Sequence, residues 1–401
     1  MIDRISINNL FSFGQTDIRL CRDVNLLIGI NGSGKSNFLK LLSLLQQGIG
    51  GVGLKKYIFD YLGGLDNLLT KNNVSETPDA RLQITLMPEE LNRHTNGFEF
   101  LNPLTYAITL VKTPGLTNFY VRETIANRQG VVYLEVQNGT GFLLEQPDDT
   151  IDKSGKRIHY TDFDPQELAL ASVNDTNRYP LLTALKKILK QTFVYEYFDV
   201  SKGSKIRKPQ MPTGEKQLLP DGANLTQLLN TLKINHKQTY RQILNLLREV
   251  NPQFTELDFN FIGGNIELML AEEGLNSAIH ISGISDGTLR FLCLLAICYN
   301  PTRGALVCID EPETGLHPDM LLHVAEALKF AAQYTTMVVA THSDNLINYF
   351  EVEQVRVFEK NAANFSTTKE FHKNELSDWL NQYSLGQMWK HGDLGGVRYG
   401  G

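Results

Sequence analysis

Residues 29–36, with the sequence GINGSGKS, have the spacing GxxxxGK[ST] between a predicted strand and a predicted helix. The glycines allow the backbone to fold tightly around a phosphate group, so that amide N–H groups and the start of the helix face the negative charge. At this spacing, Lys35 is expected to reach the β- and γ-phosphates of a nucleotide, and Ser36 is expected to place its hydroxyl on Mg²⁺. The flanking strand and helix favour nucleotide binding over a chance match.

Two adjacent carboxylates, Asp310 and Glu311, end the apolar segment ALVCIDE. Such a pair suits a hydrated Mg²⁺ on Asp310 and a general base on Glu311 that polarises the attacking water. By itself, an apolar run that ends in Asp-Glu is only typical of a strand end. After a phosphate loop, the pair predicts the metal-binding and hydrolytic side of the same site.

A histidine and a second anion-binding segment complete the set. His342 ends the apolar segment MVVATHS, where its imidazole can hydrogen-bond a γ-phosphate and report its presence. Ser285 and Gly287 precede the apolar helix LRFLCLLAIC, where a hydroxyl and backbone N–H groups can face an anion. Taken alone, a strand-end histidine is more often structural, and Ser285 would be an ordinary N-cap. Their order after the phosphate loop favours the functional interpretation.

These segments need a scaffold that brings distant parts of the chain together. Residues 2–10 and 23–30 are predicted strands, and residues 81–145 alternate as strands broken by Asn, Gly and Pro, which is typical of an antiparallel sheet. Residues 181–193 and 224–250 have helical periodicity. From about residue 257, continuous apolar strands alternate with helices, which indicates a buried and largely parallel sheet.

Composition narrows the class of protein. The chain has 401 residues, 38 Lys+Arg against 44 Asp+Glu, and 42% apolar residues, which excludes disorder as the main state and a histone-like basic protein. The first residues lack the apolar stretch of a signal peptide, and the longest apolar run, residues 291–298, is too short to span a membrane. Four scattered cysteines indicate neither a zinc site nor a disulfide framework. We therefore expect a reduced cytoplasmic protein with no membrane segment.

In this order, the four segments resemble those of ABC-type ATPases of the SMC/RecF/OLD group, whose phosphate loop commonly reads GxNGSGKSN, as residues 29–37 do here. The chain is similar to short bacterial stand-alone AAA family ATPases associated with anti-phage defence, which share SDGT as signature and DEPETGLHP around the carboxylate pair. The resemblance covers about residues 1–75 and 255–401, and the middle of the chain only loosely.

The resemblance implies an α/β fold, an ABC-ATPase head with a mixed sheet and a phosphate loop, split by an inserted β-rich and helical region. Its parts would be residues 1–75, the N-terminal half of the head with Walker A; residues 76–150, an antiparallel β-rich part; residues 151–255, a helical basic insertion; and residues 256–401, the C-terminal half with signature, Walker B and switch histidine.

The resemblance also implies roles by position. The implied catalytic residues are Glu311, His342 and Lys35, and the implied metal ligands are Ser36 and Asp310. The implied nucleotide-binding residues are Gly29, Asn31, Gly32, Ser33, Gly34, Lys35, Ser36, Asn37, Ser285 and Gly287. His317 stands where transporter cassettes carry Asp, as is usual in this branch, and no Q-loop glutamine is evident.

In this family, ATP is held between Walker A of one head and the signature of another. The two anion-binding segments here are about 250 residues apart in sequence, and each covers only part of a triphosphate. The resemblance therefore implies a homodimer with two composite sites for ATP and Mg²⁺. ATP would close the heads, and hydrolysis would release them.

Charge is unevenly distributed along the chain. Between residues 181 and 248 there are twelve Lys/Arg and four Asp/Glu, a net charge of +8 within a total of −6. The aromatic residues Phe193, Tyr195, Tyr197, Phe198 and Tyr240 are interleaved with the cations Lys186, Lys187, Lys190, Lys202, Lys205, Arg207 and Lys208. A DNA-contacting arm and a solvated helical face explain this pattern equally well. The first interpretation predicts that reversing Lys205, Arg207 and Lys208 to Glu weakens DNA binding.

Only about sixty residues follow His342, too few for the Toprim nuclease domain of OLD proteins. The expected function is therefore an ATP-driven sensor or clamp in bacterial genome defence that controls a separately encoded nuclease or toxin. Three alternatives stay open. They are a DNA-repair or chromosome-maintenance ATPase, a regulatory binder that closes on ATP with little turnover, and a transporter ATPase subunit. The last is disfavoured because the signature lacks LSGGQ.

Overall fold

The computed structural model describes residues 2–71, 79–92, 99–113, 118–145 and 155–395. The strands in these ranges are β1 (Ile2–Leu10), β2 (Phe13–Arg19), β3 (Val24–Ile28), β4 (Ala80–Leu86), β5 (Leu104–Lys112), β6 (Phe119–Asn127), β7 (Val132–Gln137), β8 (Thr140–Glu145), β9 (Lys156–Tyr160), β10 (Thr192–Tyr195), β11 (Phe254–Ile262), β12 (Asn265–Glu272), β13 (Ile279–His280), β14 (Leu306–Asp310), β15 (Thr336–Ala340), β16 (Val355–Lys360) and β17 (Ser366–Glu370).

The helices in the same ranges are α1 (Lys35–Gly50), α2 (Leu54–Lys56), α3 (Leu65–Leu68), α4 (Pro88–Asn92), α5 (Ala169–Ser172), α6 (Pro180–Lys190), α7 (Leu225–Asn235), α8 (Lys237–Val250), α9 (Asp286–Cys298), α10 (Leu321–Ala332), α11 (Asp344–Ile347), α12 (Ser377–Leu380) and α13 (Leu385–His391). A π-helical turn covers Tyr57–Tyr61, and short 3-10 turns lie at Lys205–Arg207, Ile281–Gly283, Pro318–Met320 and Val352–Gln354. Among the described residues, no helix is long and apolar enough to cross a membrane.

A six-stranded sheet carries the segments singled out above. Its strand order is β10-β14-β15-β3-β16-β17, and every neighbouring pair is parallel except β16 and β17. All five residues of β3 and of β15 are buried, as expected for strands covered on both faces. The parallel α/β arrangement predicted for the C-terminal part of the chain is confirmed. The sheet also recruits β3 from the N-terminal part.

An eight-stranded antiparallel sheet, in the order β2-β1-β4-β5-β6-β7-β8-β9, lies beside it. Alternate residues of β4 and β5 are buried, so one face of each strand enters the core. The antiparallel sheet predicted for residues 81–145 is confirmed. Strands β1, β2 and β9 extend it beyond those residues.

Two hydrophobic cores cover opposite faces of the six-stranded sheet. One contains Leu27 and Val338 together with the apolar faces of α1, α6 and the eight-stranded sheet. The other contains Leu26 and Val339 together with α7 to α10 and α13. Since successive residues of a strand point to opposite faces, one strand such as β3 supplies both cores.

The middle of the chain is less uniformly helical than its periodicity predicts. The predicted helix over 181–193 ends at Lys190, and the β-branched and aromatic residues Thr192–Tyr195 form β10, an edge strand of the six-stranded sheet. The predicted helix over 224–250 is interrupted at His236, whose backbone is not helical. The range 151–255, expected to be helical, thus also contains β9 and β10, while the division of the chain into domains stays a prediction.

A buried carboxylate joins the eight-stranded sheet to α5. Glu123 of β6 is fully buried, and its oxygens accept hydrogen bonds from the Tyr106 hydroxyl at 2.8 Å and from the backbone N–H groups of Ala169 and Leu170 at 2.5 and 3.1 Å. Burial raises the pKa of this carboxyl to about 7, and the three hydrogen bonds partly offset the effect. Three donors converge on two oxygens, so Glu123 fixes the start of α5 against the sheet.

Candidate functional site

The loop between β3 and α1 has a conformation that only glycine fits at two positions. Gly29 has φ +149°, and a Cβ on it would lie 2.3 Å from the Phe358 carbonyl oxygen. Gly34 has φ +118°, and a Cβ there would lie 2.3 Å from Ser366 Oγ. No side chain caps the start of α1, so its first N–H groups are available to an anion.

Lys35 begins α1, and the residue is 4% exposed. Its Nζ donates to the Gly29 carbonyl oxygen at 2.7 Å and to Nε2 of His342 at 2.9 Å. Burial lowers the pKa of Lys35 to about 8, and the negative charges of Asp310 and Glu311 partly offset this effect. The predicted phosphate-binding lysine and the predicted phosphate-sensing histidine are therefore in direct contact.

The Asp310 carboxylate, at the end of β14, lies beside the Ser36 hydroxyl, which hydrogen-bonds it. Burial is the main cause that raises the pKa of Asp310 to about 6, with the hydrogen bond from Ser36 opposing it and the carboxylates of Glu311 and Glu196 adding to it. A carboxylate and a hydroxyl side by side are hard oxygen ligands of the kind that Mg²⁺ prefers. The donor set at this position therefore fits a magnesium ion.

Glu311 has an unusual backbone for a residue with a side chain. Its φ is +47°, a left-handed conformation that non-glycine residues rarely adopt and that is often found at active sites. Its N–H donates to the Ala340 carbonyl oxygen at 2.8 Å, which ties it to the end of β15. The carboxylate is 47% exposed, lies 3.6 Å from His342 Nε2, and accepts a hydrogen bond from the Thr314 hydroxyl at 3.1 Å.

Glu313 organises the loop that carries His342, and it was missed from the sequence. Its Oε1 accepts hydrogen bonds from the Thr341 hydroxyl at 2.6 Å and from the backbone N–H groups of His342 and Ser343 at 2.9 and 3.1 Å. Burial raises the pKa of Glu313. Burial and the charge of Lys35 lower the pKa of His342, which keeps its imidazole neutral and able to accept from the lysine.

Glu196 is a second residue that sequence reasoning missed. Tyr195 of β10 pairs with Ile309 of β14, so Glu196, the next residue along, lies at the edge of the sheet where Asp310 ends β14, and its charge helps to raise the pKa of Asp310. A cavity of about 240 Å³ lies here, between residues 195–198 and residues 309–312. Only the pairing of β10 with β14 reveals that Glu196 lies here, and the sequence alone assigned this residue no role.

The signature segment is built as a helix cap. Ser285 is the N-cap of α9, and its Oγ accepts from the Thr288 N–H at 3.1 Å. A Cβ on Gly287 would lie 3.1 Å from the Gly315 carbonyl oxygen, so the segment abuts the loop after Glu311. Among the described residues, no hydrogen bond or ion pair joins residues 284–288 to residues 29–37. The chain brings together the phosphate loop, Asp310, Glu311 and His342, but not the signature.

The remaining loop residues have distinct environments. Asn31 and Gly32 are exposed, whereas Ser33 is buried with no hydrogen-bond partner for its Oγ within the described ranges. Asn37 donates to Ser12 Oγ at 2.9 Å. Beside Ser12 and Asn37 lies a cavity of about 490 Å³, whose lining includes Tyr61, Lys40, Lys71 and Lys360.

The basic region requires a correction. Arg207 is 6% exposed and Lys186 is 7% exposed, so neither offers its charge to DNA as the interpretation of a DNA-contacting arm predicts. Lys186 donates to the carbonyl oxygens of Ala171 and Val173 instead. The aromatic residues Tyr195, Phe198 and Tyr240 are buried as well. The cations exposed to solvent include Lys187, Lys190, Lys202, Lys208, Lys237 and Arg241.

Comparison with known proteins identifies the family of this chain and the solved structures that share its fold. The sequence matches the family described as "AAA domain, putative AbiEii toxin, Type IV TA system" over residues 24–105 and 152–348, and no curated protein matches it. Among solved structures, it is similar to an Smc head bound to the C-terminal winged-helix domain of ScpA, with a TM-score of 0.59 and 13% identity over 93% of this chain and 99% of that one.

A second Smc head, with an extended coiled coil and bound to a ScpA domain derived from Pyrococcus furiosus, has a TM-score of 0.57 and 10% identity over 95% of this chain and 98% of that one. At these identities the similarity shows the fold alone, which is that of an SMC-type ATPase head. The resemblance inferred from the motifs is thereby confirmed. Since the family match covers more than half of the sequence, the chain belongs to this AAA family and has the SMC-type ATPase fold.

Proposed function

We propose that this chain binds and hydrolyses ATP with Mg²⁺ and acts as a dimeric switch of the SMC/RecF/OLD type. The observation that carries the proposal is the convergence of a buried ammonium, two carboxylates and an imidazole at one edge of the six-stranded sheet, beside a glycine-rich loop and the uncapped start of α1. Phosphoryl transfer needs positioning and charge stabilisation of this kind more than it needs a covalent partner.

Each residue has a role that follows from its contacts. The N–H groups of residues 29–36 and the Lys35 ammonium would bind the phosphates, and Ser36 and Asp310 would hold Mg²⁺. The ion, when bound, would neutralise charge on the phosphate oxygens. The exposed Glu311 carboxylate is the group that can accept a proton from an attacking water.

The contact between Lys35 and His342 suggests how nucleotide is sensed. Without nucleotide, the ammonium donates to the imidazole at 2.9 Å. A phosphate that takes over this donor leaves the His342 Nε2 without its partner, so the imidazole must find another. Glu313 holds the backbone N–H groups of residues 342–343 in place, so this change requires only a rotation of the His342 imidazole.

The proposed dimer follows from what one chain leaves incomplete. Within the described residues, no hydrogen bond or ion pair joins Ser285 to the phosphate loop, yet Ser285 and Asn31 are exposed. A second copy could therefore add its signature segment to the nucleotide on the first. Two such composite sites would form by twofold symmetry, as in an isologous homodimer.

The family description supports a role in defence. It refers to a putative toxin and to a toxin–antitoxin system. We propose that this chain is the sensor ATPase of a bacterial anti-phage system, that it controls a separately encoded nuclease or toxin, and that it acts in the cytoplasm. Co-purification of a second protein with this chain from its own cells tests the partner. Stimulation of hydrolysis by gapped DNA would instead favour the DNA-repair alternative.

Nucleic acid remains a candidate ligand through the exposed cations, and the structure changes how this is tested. Arg207 must be left intact because it is buried. Replacing Lys202 and Lys208 by Glu should weaken DNA binding and reduce its dependence on salt by about two counterions. Unchanged binding and an unchanged salt slope would exclude Lys202 and Lys208 from contact with DNA.

Glu311→Gln tests the proposed function directly. The amide keeps the size of the side chain but cannot accept a proton, so ATP hydrolysis should fall at least roughly 100-fold. ATP should then trap a dimer, measured by light scattering after size-exclusion chromatography. Glu273→Gln, which removes an exposed carboxylate elsewhere, should behave like the unmodified chain. Hydrolysis at the normal rate, or a variant that stays monomeric with ATP, would contradict the proposal.

A further inference from the structure

Arg207 ends the 3-10 turn Lys205–Arg207, and its guanidinium is buried against the segment that precedes α9. Its Nε donates to the Val200 carbonyl oxygen at 2.7 Å. Its Nη1 donates to the carbonyl oxygens of Ile281 and Ile284 at 2.6 and 2.8 Å. Its Nη2 pairs with Asp286 Oδ1 at 2.5 Å. One side chain therefore bonds two separate stretches of backbone and the first residue of α9.

The two carbonyl groups that share Nη1 flank the turn before Ser285. Ile281 begins the 3-10 turn Ile281–Gly283, and Ile284 immediately precedes the N-cap. Fixing both carbonyl oxygens fixes the path of the backbone into Ser285. The position of the Ser285 hydroxyl and of the N–H groups of the first turn of α9 thus depends on the guanidinium.

This arrangement suits arginine and no other side chain. A buried cation is stable only when its donors are satisfied, and here one carboxylate and three carbonyl oxygens surround it. The planar guanidinium directs its N–H groups into a fixed fork. A lysine side chain is shorter and ends in a single ammonium group. It could not donate to the carbonyl oxygens of Val200, Ile281 and Ile284 at once.

The segment that carries Arg207 begins at the metal-binding edge of the sheet. Glu196, at its start, lies close enough to Asp310 to raise its pKa, and Tyr197 contacts α9. Arg290 of α9 lies over the Tyr197 ring at 5.1 Å and donates to its hydroxyl at 3.2 Å. The same Arg290 donates to the Thr314 carbonyl oxygen at 2.8 Å. Residues 196–207 thus contact α9 at both of their ends.

We infer that Arg207 is a positioning residue that sets the orientation of the signature segment, so that engagement of two heads depends on residues 196–207. The inference rests on the proposed function, because it assigns Arg207 a part in completing the composite site. Arg207 does not touch the phosphate loop of its own chain. Its loss should therefore impair the use of the signature by a partner head and leave nucleotide binding to the same head unchanged.

Arg207→Lys tests the separation of these two steps. Binding of a fluorescent ATP analogue to the monomeric chain should stay within about twofold of normal, since the phosphate loop is intact. ATP-dependent dimerisation and the hydrolysis rate at saturating ATP should both fall by roughly tenfold or more, because several hydrogen bonds are lost. Lys216→Met, which removes an exposed charge from the following loop, should change none of these values.

Mixed dimers separate a positioning role from a general folding defect. A Lys35→Ala chain lacks a working phosphate loop but keeps its signature, and an Arg207→Lys chain has the opposite defect. Each should be nearly inactive alone. Two differently tagged chains purified together should regain up to about half of the normal rate, because one composite site then combines two intact halves.

The outcomes are distinguishable. If the unmodified chain does not dimerise with ATP, the proposed function fails first. If it does, and Arg207→Lys dimerises equally well, the inference is wrong. Loss of nucleotide binding in the Arg207→Lys monomer, or mixed dimers without recovered activity, would show that Arg207 stabilises the whole head and does not position the signature.

Discussion

The buried ammonium of Lys35 leads to a quantitative prediction about pH. Its pKa is lowered to about 8, and only its protonated form attracts phosphate oxygens. A group with this pKa is about 90% protonated at pH 7 and about 10% protonated at pH 9. Rising pH therefore lowers the affinity for ATP, because it removes the positive charge that attracts the phosphates. The affinity of the nucleotide-free protein for ATP should therefore fall roughly tenfold between pH 7 and pH 9.

The matched variant is Lys35→Arg. A guanidinium stays charged far above pH 9, so the affinity of this variant, whatever its value at pH 7, should not change over the same interval. Lys55→Arg, which exchanges an exposed lysine next to α1, should keep the full pH dependence of the unmodified chain. Together the two variants assign the effect to one ammonium group.

The measurement is an equilibrium titration with a fluorescent, non-hydrolysable ATP analogue at saturating Mg²⁺. Protein concentration is kept below that at which the heads associate, so that binding to a single head is observed. A constant affinity from pH 7 to pH 9 in the unmodified chain would refute the reasoning. An equal decline in Lys35→Arg would do the same, because it would place the titrating group elsewhere.

Three further predictions concern other carboxylates. Burial raises the pKa of Asp310 to about 6, so the stimulation of nucleotide binding by Mg²⁺ should weaken about tenfold from pH 7 to pH 5, and Asp310→Asn should abolish this dependence. Glu313→Ala should slow hydrolysis about 10- to 100-fold with little change in nucleotide affinity, because it frees the loop that carries His342. Glu123→Gln should lower the free energy of unfolding in urea by about 1–3 kcal/mol, because the new amide N–H₂ would face donors such as the Ala169 N–H. Glu135→Gln, at an exposed position, should leave the free energy of unfolding unchanged.

Contiguous motifs made the core of the site predictable from sequence. Lys35, Asp310 and His342 each end or follow an apolar strand, and parallel strands bring their carboxyl ends to one edge. The residues that were missed depend on pairing between distant segments. Glu196 reaches the site only because β10 pairs with β14. Arg207 reaches the segment before α9 only because residues 200–207 pack against residues 281–286. Local periodicity carries no information about such contacts.

The same limit explains the errors in the middle of the chain. Lysine and arginine counts describe charge, but burial depends on which carbonyl oxygens surround each cation. Arg207 and Lys186 are buried among carbonyl oxygens that accept from them, whereas Lys202 and Lys208 are exposed to solvent. The helix predicted over 181–193 likewise ends early, because Thr192–Tyr195 find a strand partner that lies more than 100 residues away.

The position of β3 has a consequence for how the protein is made. This strand lies between β15 and β16, and the phosphate loop that follows it packs against Phe358 and Ser366. A ribosome completes the phosphate loop early, yet Phe358 and Ser366, which lie against Gly29 and Gly34, emerge more than 300 residues later. An unfinished or prematurely terminated chain therefore carries the loop sequence without the pocket. The ability to hold nucleotide then marks a chain whose synthesis has reached at least residue 366, and incomplete chains would not compete for partners.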